Sequence, residues 1–427
     1  MLNTPFSPWP TFTQEEADAV QRVLLSNRVN YWTGSECREF EAEFATFIGT
    51  RYAVSLANGT VALDAALLAL GIGAGDEVVV TPRTFFASAS SIVSVGATPV
   101  FADVGQDCQN ITAKTVAQLL SPRTRAIICV HLAGWPCDMD PIMKLALKHD
   151  LFVIEDCAQA HGASYKGRSV GSIGHIGAWS FCQDKIMTTG GEGGMVTCND
   201  ETLWRAIWSY KDHGKSYAAV YEREHPPGFR WLHDSFGTNG RMTEMQAAIG
   251  RIQLRRLKEW VAARTANALV IREVLLSFAG EGGVVRVPEL RCEGCPLLKG
   301  GNYDCSCVHA NYKYYAFVRP EHLAAGWSRD NIIEEINSRG VPCYTGSCSE
   351  VYLEKAFDNT GFRPKARLPV AKKLGETSLM FLVHPTLTST EIKNTCQAIQ
   401  EVLEKALTTK KRIHDDQNCK SHPKPAL

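Results

Sequence analysis

The chain has 427 residues, of which 45% are hydrophobic and 21% are charged, and its 45 Lys and Arg residues balance its 45 Asp and Glu residues. This length suits two or three domains with a large core, and the zero net charge argues against nucleic acid or an anionic membrane as the main partner. Residues 1–10 lack the basic and apolar regions of a signal peptide, and no segment reaches the roughly 18 apolar residues of a membrane span, so we expect a cytoplasmic protein.

Short apolar runs alternate with helical patterns in the first half of the chain. The predicted helices include residues 61–70, 85–95 and 141–149, and the predicted strands cover residues 52–56, 77–81, 98–101, 126–130, 151–155 and 178–181. This alternation is typical of an α/β domain built on a mostly parallel sheet with helices on both faces. We therefore predict an N-terminal arm over residues 1–35 and a large domain over residues 36–250.

The second half of the chain begins with a long helical pattern over residues 243–278, which suits a helix that connects two domains. Beyond it, residues 283–290 and 312–318 resemble strands, and residues 329–339 and 389–407 resemble helices. We predict that this bridging helix and a smaller α+β domain occupy residues 251–407. Residues 408–427 are polar and Lys-rich, and they are predicted to be disordered.

The fifteen cysteines are an odd number, and without a secretory signal we expect them to be reduced thiols. Four of them follow a Cys-x-x-Cys and Cys-x-Cys pattern that resembles the spacing of zinc ligands. These four are Cys292, Cys295, Cys305 and Cys307. Cys-x-Cys is uncommon in structural zinc sites, and the chain is rich in cysteine throughout. We expect no metal, and a zinc site at these four residues is the alternative.

Lys185 carries the most information about chemistry. It follows an apolar run and precedes the glycine-rich segment Gly190-Gly-Glu-Gly-Gly194, and the upstream strand 151–155 leads directly to Asp156. Pyridoxal phosphate requires such a pair, because the amine forms a Schiff base with the aldehyde and the carboxylate keeps the pyridine nitrogen protonated. A lone lysine beside glycines is usually a surface residue, but the carboxylate partner favours a cofactor site.

Other residues fit the same cofactor. Gly59 and Thr60 belong to the cap of the predicted helix at residues 61–70, whose N–H groups and positive end suit a phosphate, and Ser180 offers a further hydroxyl. Phe85 offers a ring that can stack on the pyridine, and Gln159 follows Asp156 closely enough to reach the phenolic oxygen. Taken singly, the helix start is more often an ordinary cap and the phenylalanine a core residue.

The order of several motifs identifies a family. They include Asn58-Gly-Thr60, Gly75-Asp-Glu-Val78, Gly96-Ala-Thr-Pro-Val100, Glu155-Asp-Cys-Ala-Gln-Ala-His-Gly162, Gly190-Gly-Glu-Gly-Gly194 and Asn239-Gly-Arg-Met-Thr-Glu-Met-Gln-Ala-Ala-Ile-Gly250. Together they resemble the DegT/DnrJ/EryC1/StrS family of nucleotide-sugar aminotransferases, from about residue 40 to the C-terminal helix. The resemblance implies a fold-type I enzyme dependent on pyridoxal phosphate, with a mostly parallel, seven-stranded sheet.

The resemblance also implies roles for single residues. Lys185 matches the lysine that forms the internal aldimine and moves protons during transamination, and Asp156 matches the partner of the pyridine nitrogen. The remaining cofactor contacts match Gly59, Thr60, Phe85, Gln159, Ser180 and Asn239. Asn239 corresponds to an asparagine that reaches the phosphate of the neighbouring subunit, which implies a homodimer with shared sites. His213 and His384 match positions near the sugar nucleotide.

Two departures concern loops near the site. Gly240 stands where the family often has an aromatic residue, and Phe181-Cys-Gln-Asp184 replaces versions that contain His, Asn or Thr. Neither departure removes a group that the chemistry requires.

The resemblance implies transamination of a nucleotide-linked keto sugar, with a 4-keto-6-deoxy sugar preferred over a 3-keto isomer and L-glutamate as amino donor. The product would enter surface polysaccharide or a glycosylated natural product. One rival is the family's sugar dehydratase branch, in which histidine replaces the Schiff-base lysine, whereas this chain has Lys185. Another is a non-catalytic regulator, which the complete set of site residues disfavours.

Overall fold

The computed structural model describes residues 6–224, 230–289, 291–292, 295 and 306–407. Helices and strands alternate along most of this length. The helices are α1 Gln14–Leu25, α2 Glu36–Ile48, α3 Gly59–Ala69, α4 Ala87–Ser94, α5 Ala113–Ala117, α6 Met139–His149, α7 Glu201–Tyr210, α8 Tyr217–Tyr221, α9 Glu244–Leu276, α10 Arg329–Ser338, α11 Pro369–Thr377 and α12 Ser389–Ala406. Short 3₁₀ turns cover Leu132–Gly134, Pro320–His322, Val351–Leu353 and Lys355–Phe357.

The strands are short, as is usual for a sheet packed inside helices. They are β1 Tyr52–Leu56, β2 Glu77–Val80, β3 Thr98–Phe101, β4 Thr124–Val130, β5 Phe152–Asp156, β6 Ser164–Tyr165, β7 Arg168–Ser169, β8 Ile176–Ser180, β9 Gly194–Cys198, β10 Val285–Arg286, β11 Tyr314–Val318, β12 Cys343–Tyr344 and β13 Ser378–Phe381.

The large sheet has seven strands in the order β1-β9-β8-β5-β4-β2-β3. Strands β2, β3, β4, β5 and β8 pair in parallel, and β9 pairs antiparallel with both β1 and β8. Alternate residues of its central strands enter different cores, since Val78 and Ile128 belong to one apolar cluster whereas Val79 and Ile127 belong to another. Helices therefore cover both faces, and the predicted α/β class with a mostly parallel sheet is confirmed.

The 33 residues of α9 connect two apolar cores. Leu257 and Val261 in its first part pack in the core of the large sheet, whereas Ile271 and Leu275 pack in the core of the second sheet. That second sheet has four strands in the order β10-β11-β13-β12, and all its pairs are antiparallel. The predicted bridging helix lies within one residue or two of the observed one.

Some predicted boundaries were wrong. The strand predicted over residues 283–290 is paired only at Val285 and Arg286, because Pro288 has no N–H to extend the ladder, and residue 290 lies outside the described residues. The helix predicted from residue 85 begins at Ala87, after turns in which Ser88 N–H donates to the Phe85 carbonyl. The N-terminal arm contains α1, whose Ala19 and Val23 pack against α9.

The chain before α1 ties the two sheets together. The Ser7 amide donates to Glu391 on α12, and Trp9 Nε1 donates to the Lys185 carbonyl at 2.8 Å. Of the helices in the described part of the chain, none combines the length and the apolar character that crossing a bilayer requires.

Glu155 organises the carboxyl end of β5 from inside the protein. Its carboxylate accepts the amides of Gly171, Ile173 and Gly174 and contacts His131 Nε2 at 3.0 Å. His131 Nδ1 accepts a hydrogen bond from the Cys137 amide, so Nε2 carries the ring proton. Nε2 therefore donates a hydrogen bond to the Glu155 carboxylate. Burial alone would raise the pKa of Glu155, but His131 and the amides lower that pKa by a larger amount. The net result is a pKa below the usual 4.5.

We expect Glu155→Gln to lower the free energy of unfolding by about 3 kcal/mol, because the variant breaks a fully buried charged network. The ionised carboxylate stabilises the fold fully above pH 4.5, and this contribution is lost as the pH falls through the lower folded pKa. The wild type should therefore lose more stability than the variant on acidification below pH 4.5. Urea unfolding across pH tests both effects, with Glu334→Gln on the exposed side of α10 as control. Equal stability of the variant and the wild type near neutral pH would contradict the assignment.

Candidate active site

A cavity of about 520 Å³ lies at the carboxyl ends of the parallel strands of the large sheet. Asp156 ends β5 and Ser180 ends β8, so the parallel topology brings both side chains to one edge. The cavity is lined by Asn58, Gly59, Thr60, Val61, Leu63, Thr84, Phe85, Ala87, Ser88, Val130, Asp156, Ala158, Gln159, Ala178, Trp179, Ser180, Cys182, Asp184, Lys185 and Glu192. Seven of the eight residues predicted to bind the cofactor therefore share one cavity, and Asn239 does not.

The start of α3 forms one wall. Asn58 is the N-cap and its side chain accepts the Val61 amide at 2.9 Å, which leaves the Gly59 and Thr60 amides without partners within the helix. Gly59 approaches Ser180 so closely that an added Cβ would lie 2.6 Å from the Ser180 Cβ. Free amides, two hydroxyls and a helix N-terminus at such close range suit an anion such as a phosphate.

Asp156 forms another part of the cavity wall. The Ser88 hydroxyl donates to one carboxylate oxygen at 2.7 Å, and the Ala158 amide donates to the other at 3.1 Å. Burial raises the pKa of Asp156, while these hydrogen bonds and the charge of Lys185 oppose the rise. A nearly buried carboxylate fixed by two donors is suited to bind a protonated ring nitrogen.

Gln159 and Phe85 border the same space. Gln159 Oε1 accepts the Ala133 amide at 2.8 Å, which holds the side chain at the cavity. The Phe85 ring is 70% exposed, although large apolar side chains are usually buried. A ring presented in this way at a cavity is available for stacking on a planar ligand.

Lys185 is held by three neighbours. Its Nζ lies 3.5 Å from Asp184 Oδ1 and 5.4 Å from the centre of the Tyr312 ring. Its carbonyl accepts the Trp9 indole N–H. The Tyr312 hydroxyl donates to Asp184 Oδ2. The main chain of Lys185 is therefore fixed, and its amine faces the cavity beside a carboxylate.

Three predicted site residues do not line this cavity. Asn239 is exposed and pairs with Asp212 through the backbone, and the exposed His213 donates its amide to the Thr238 carbonyl in the same loop region. His384 is buried, with its ring stacked on Trp9 and its Nδ1 2.8 Å from Thr386 Oγ1. Burial, together with the neighbouring cations Arg264 and Lys313, lowers the pKa of His384 to about 3, so the ring is neutral.

Of the four cysteines in the zinc-like pattern, Cys305 lies outside the described residues. Cys292 Sγ lies 2.8 Å from Cys307 Sγ, and the Cys295 amide donates to the Cys292 carbonyl at 3.2 Å. The Lys166 amide donates to Cys307 Sγ. The predictions for this segment, no metal or a zinc site, both stay predictions.

Sequence reasoning missed the residues that reach the site from a distance. Tyr312 lies just before β11 of the second sheet, and Trp9 lies in the N-terminal segment before α1. Ser88 lies on α4. No local pattern marks these three residues. Asp184 carried a signal, since the segment before Lys185 departs from the versions common in the family.

The comparisons with known proteins agree with this architecture. A sequence model of the DegT/DnrJ/EryC1/StrS aminotransferase family matches residues 10–400. A crystal structure of an aminotransferase from Psychrobacter cryohalolentis is 66% identical with a TM-score of 0.90, covering 94% of this chain and 100% of that chain. The spore coat polysaccharide biosynthesis protein SpsC of Bacillus subtilis is 41% identical over 397 residues, or 93% of this chain and 96% of its own length. GDP-perosamine synthase of Caulobacter vibrioides is 35% identical over 371 residues, or 86% and 89% of the two chains.

We expect Gly59→Ala to weaken the binding of pyridoxal phosphate at least about ten-fold, which is the cost of one charge-assisted hydrogen bond. The added Cβ forces the start of α3 away from Ser180, because it would lie 3.2 Å from the Ser180 Cα as well. Spectroscopic titration of the apo protein measures the dissociation constant. Gly73→Ala is the matched control, since an added Cβ there makes only an ordinary contact. Unchanged binding in Gly59→Ala would contradict a phosphate site between the start of α3 and Ser180.

Proposed function

Because the chain belongs to the DegT/DnrJ/EryC1/StrS aminotransferase family, we propose that it transfers an amino group from L-glutamate to a keto sugar linked to a nucleotide. Membership makes the protein an aminotransferase with an α/β fold, and its relatives act in nucleotide-sugar and polysaccharide biosynthesis. The family implies the use of pyridoxal phosphate. The donor, the sugar and the residue roles below are our proposal.

The residues at the cavity fit pyridoxal phosphate. The close approach of Gly59 to Ser180 leaves free amides and hydroxyls for a phosphate, and the buried Asp156 offers a carboxylate for the ring nitrogen. We assign ring stacking to Phe85 and the contact near the phenolic oxygen to Gln159. When bound, the cofactor supplies an aldehyde for the covalent capture of amines and a ring that takes up electrons.

Lys185 is the proposed catalytic residue. Its amine binds the cofactor covalently at rest and, once displaced by the amino donor, removes the proton from the donor's α-carbon as a general base. It later returns a proton to the carbon of the sugar that receives nitrogen. The single observation that carries this proposal is the position of the Lys185 amine in one cavity with Asp156 and the start of α3.

We propose a 4-keto-6-deoxy sugar nucleotide as the acceptor, in preference to a 3-keto isomer. Support comes from the 35% identity with GDP-perosamine synthase and from the 41% identity with a spore coat polysaccharide biosynthesis protein. The substrate contacts of His213 and His384 and the cytoplasmic location stay predictions. A dehydratase is disfavoured by the lysine at position 185.

We further propose a homodimer in which Asn239 completes the partner's cavity. Asn239 is exposed and does not line the cavity of its own chain. In the same loop, Phe236 is fully exposed and Trp231 is 82% exposed. Exposed aromatic side chains of this size are typical of interfaces.

Lys185→Ala should abolish the covalent attachment of the cofactor. The purified wild type should be yellow, and borohydride should fix the cofactor on Lys185, as peptide mass spectrometry would show. The variant should be colourless after dialysis because it lacks the amine. A wild type that fails to take up added pyridoxal phosphate would contradict the proposed function.

The wild type should aminate a 4-keto-6-deoxy sugar nucleotide with glutamate as donor. A panel of dTDP-, UDP- and GDP-linked substrates, read by mass spectrometry, identifies the acceptor, and a 3-keto isomer is the control for regiochemistry. Amination of the 3-keto isomer alone would overturn the proposed acceptor while leaving the aminotransferase assignment intact.

A mixture of two inactive variants tests the shared site. A heterodimer of Lys185→Ala and Asn239→Ala has one complete site, with Lys185 and Asn239 from different protomers. Random pairing in an equal mixture should restore roughly a quarter of the wild-type sites, as expected for a two-fold dimer. Each variant alone is the control. If Asn239 acts within its own chain, mixing restores no activity.

A further inference from the structure

We propose that Asp184, held in place by Tyr312, is a positioning residue that keeps the Lys185 amine in the cavity whenever this amine is not covalently bound. The role rests on the proposed function, in which Lys185 is repeatedly released and must remain near the reacting carbon. It also gives a reason for the unusual segment that precedes Lys185.

The two oxygens of the Asp184 carboxylate have different partners. Oδ2 accepts the Tyr312 hydroxyl, and Oδ1 faces Lys185 Nζ at 3.5 Å. The hydroxyl thus fixes the rotation of the carboxylate so that the other oxygen faces the amine. A carboxylate that shared both oxygens with solvent would have no such fixed direction.

Tyr312 is itself held firmly. Its side chain is almost fully buried, and Arg264 Nη1 on α9 donates to its carbonyl at 3.2 Å. Burial raises the pKa of Tyr312 well above 10, and the charge of Asp184 raises it further, so the hydroxyl keeps its proton and acts as donor. Partial burial raises the pKa of Asp184, but Lys185 and Tyr312 lower that pKa by a larger amount, so the net shift is downward and the carboxylate stays charged.

The backbone of Lys185 is fixed independently. The Trp9 indole donates to the Lys185 carbonyl at 2.8 Å, and the Arg264 guanidinium lies 4.9 Å from the centre of a Trp9 ring. With the main chain fixed in this way, the amine moves only through the side-chain torsions. A single directed carboxylate is then sufficient to hold it.

The charge of Asp184 also acts on two buried cations beside Tyr312. The Lys313 ammonium lies 4.9 Å from the centre of the Tyr312 ring, and burial lowers the pKa of Lys313 to about 8. Burial likewise lowers the pKa of Arg264 to about 9. The charge of Asp184 raises the pKa of Lys313 and so opposes part of the effect of burial.

The competing interpretation is that Asp184 and Lys185 touch only because they are adjacent in sequence. The Asp184 side chain is 58% exposed in the single chain, and exposed ion pairs typically contribute about 0–1 kcal/mol. Under that interpretation the Tyr312 hydroxyl has no influence on Lys185, and only the ring contacts the amine. The two interpretations therefore differ in whether the effects of Asp184 and Tyr312 depend on each other.

The test compares Asp184→Asn, Tyr312→Phe and the double variant as apo proteins. Reductive methylation at neutral pH labels each amine at a rate that depends on how freely it meets the reagent, and peptide mass spectrometry gives the rate at Lys185. Asp184→Asn should raise this rate about three- to ten-fold, because the amine loses the charged oxygen that holds it in place. Tyr312→Phe keeps the ring and should raise the rate less, and the double variant should match Asp184→Asn, since the Tyr312 hydroxyl acts through Asp184.

Two controls accompany the labelling. Tyr314→Phe removes a hydroxyl from a tyrosine whose side chain packs in the core of the second sheet, and it should leave the Lys185 rate unchanged. The exposed Lys258 is the internal reference in every sample. Additive effects of the two variants, or a change below about two-fold in Asp184→Asn, would overturn the proposal. Since neither cofactor nor sugar is present, this outcome is independent of the activity tests.

Discussion

Successive side chains of a β-strand point to opposite faces of the sheet, and at the end of β5 this rule separates two adjacent carboxylates. Glu155 points into the protein, where three amides and His131 surround it, and Asp156 points into the cavity, where Ser88 and Ala158 fix it. The end of β5 thus provides Glu155, which fixes the surrounding loop from inside the protein, and Asp156, which lines the cavity. The remaining cavity residues are arranged around this point by the parallel sheet.

The local part of this arrangement could be predicted from the sequence. Asn58 is recognisable as a helix cap, and Asp156 and Ser180 each end a strand, so parallel pairing places them at one edge. The boundaries were less accurate where a tertiary partner decides them. β10, for example, is limited by the two residues that pair with β11 and by the proline that follows.

The contacts made over long sequence separations could not be predicted. Tyr312 meets Asp184 across 128 residues and Trp9 meets Lys185 across 176 residues, and each pair depends on how α9 and the two sheets pack. A single hydroxyl or indole N–H group produces no pattern in the sequence from which its distant partner could be predicted. The chemistry of the site was therefore visible locally, whereas the groups that hold Lys185 in place emerged only from the fold.

The continuity of α9 has a mechanical consequence. At a rise of 1.5 Å per residue, its 33 residues form a rod about 50 Å long, with each end embedded in a different core. A tilt of the second sheet relative to the first would require α9 to bend, or to shift against one of the two cores in which it packs. Arg264 lies near its middle and contacts both Trp9 and Tyr312, the two groups that hold Lys185 and its carboxylate. A bend of α9 at Arg264 would therefore displace both groups that position the Lys185 amine.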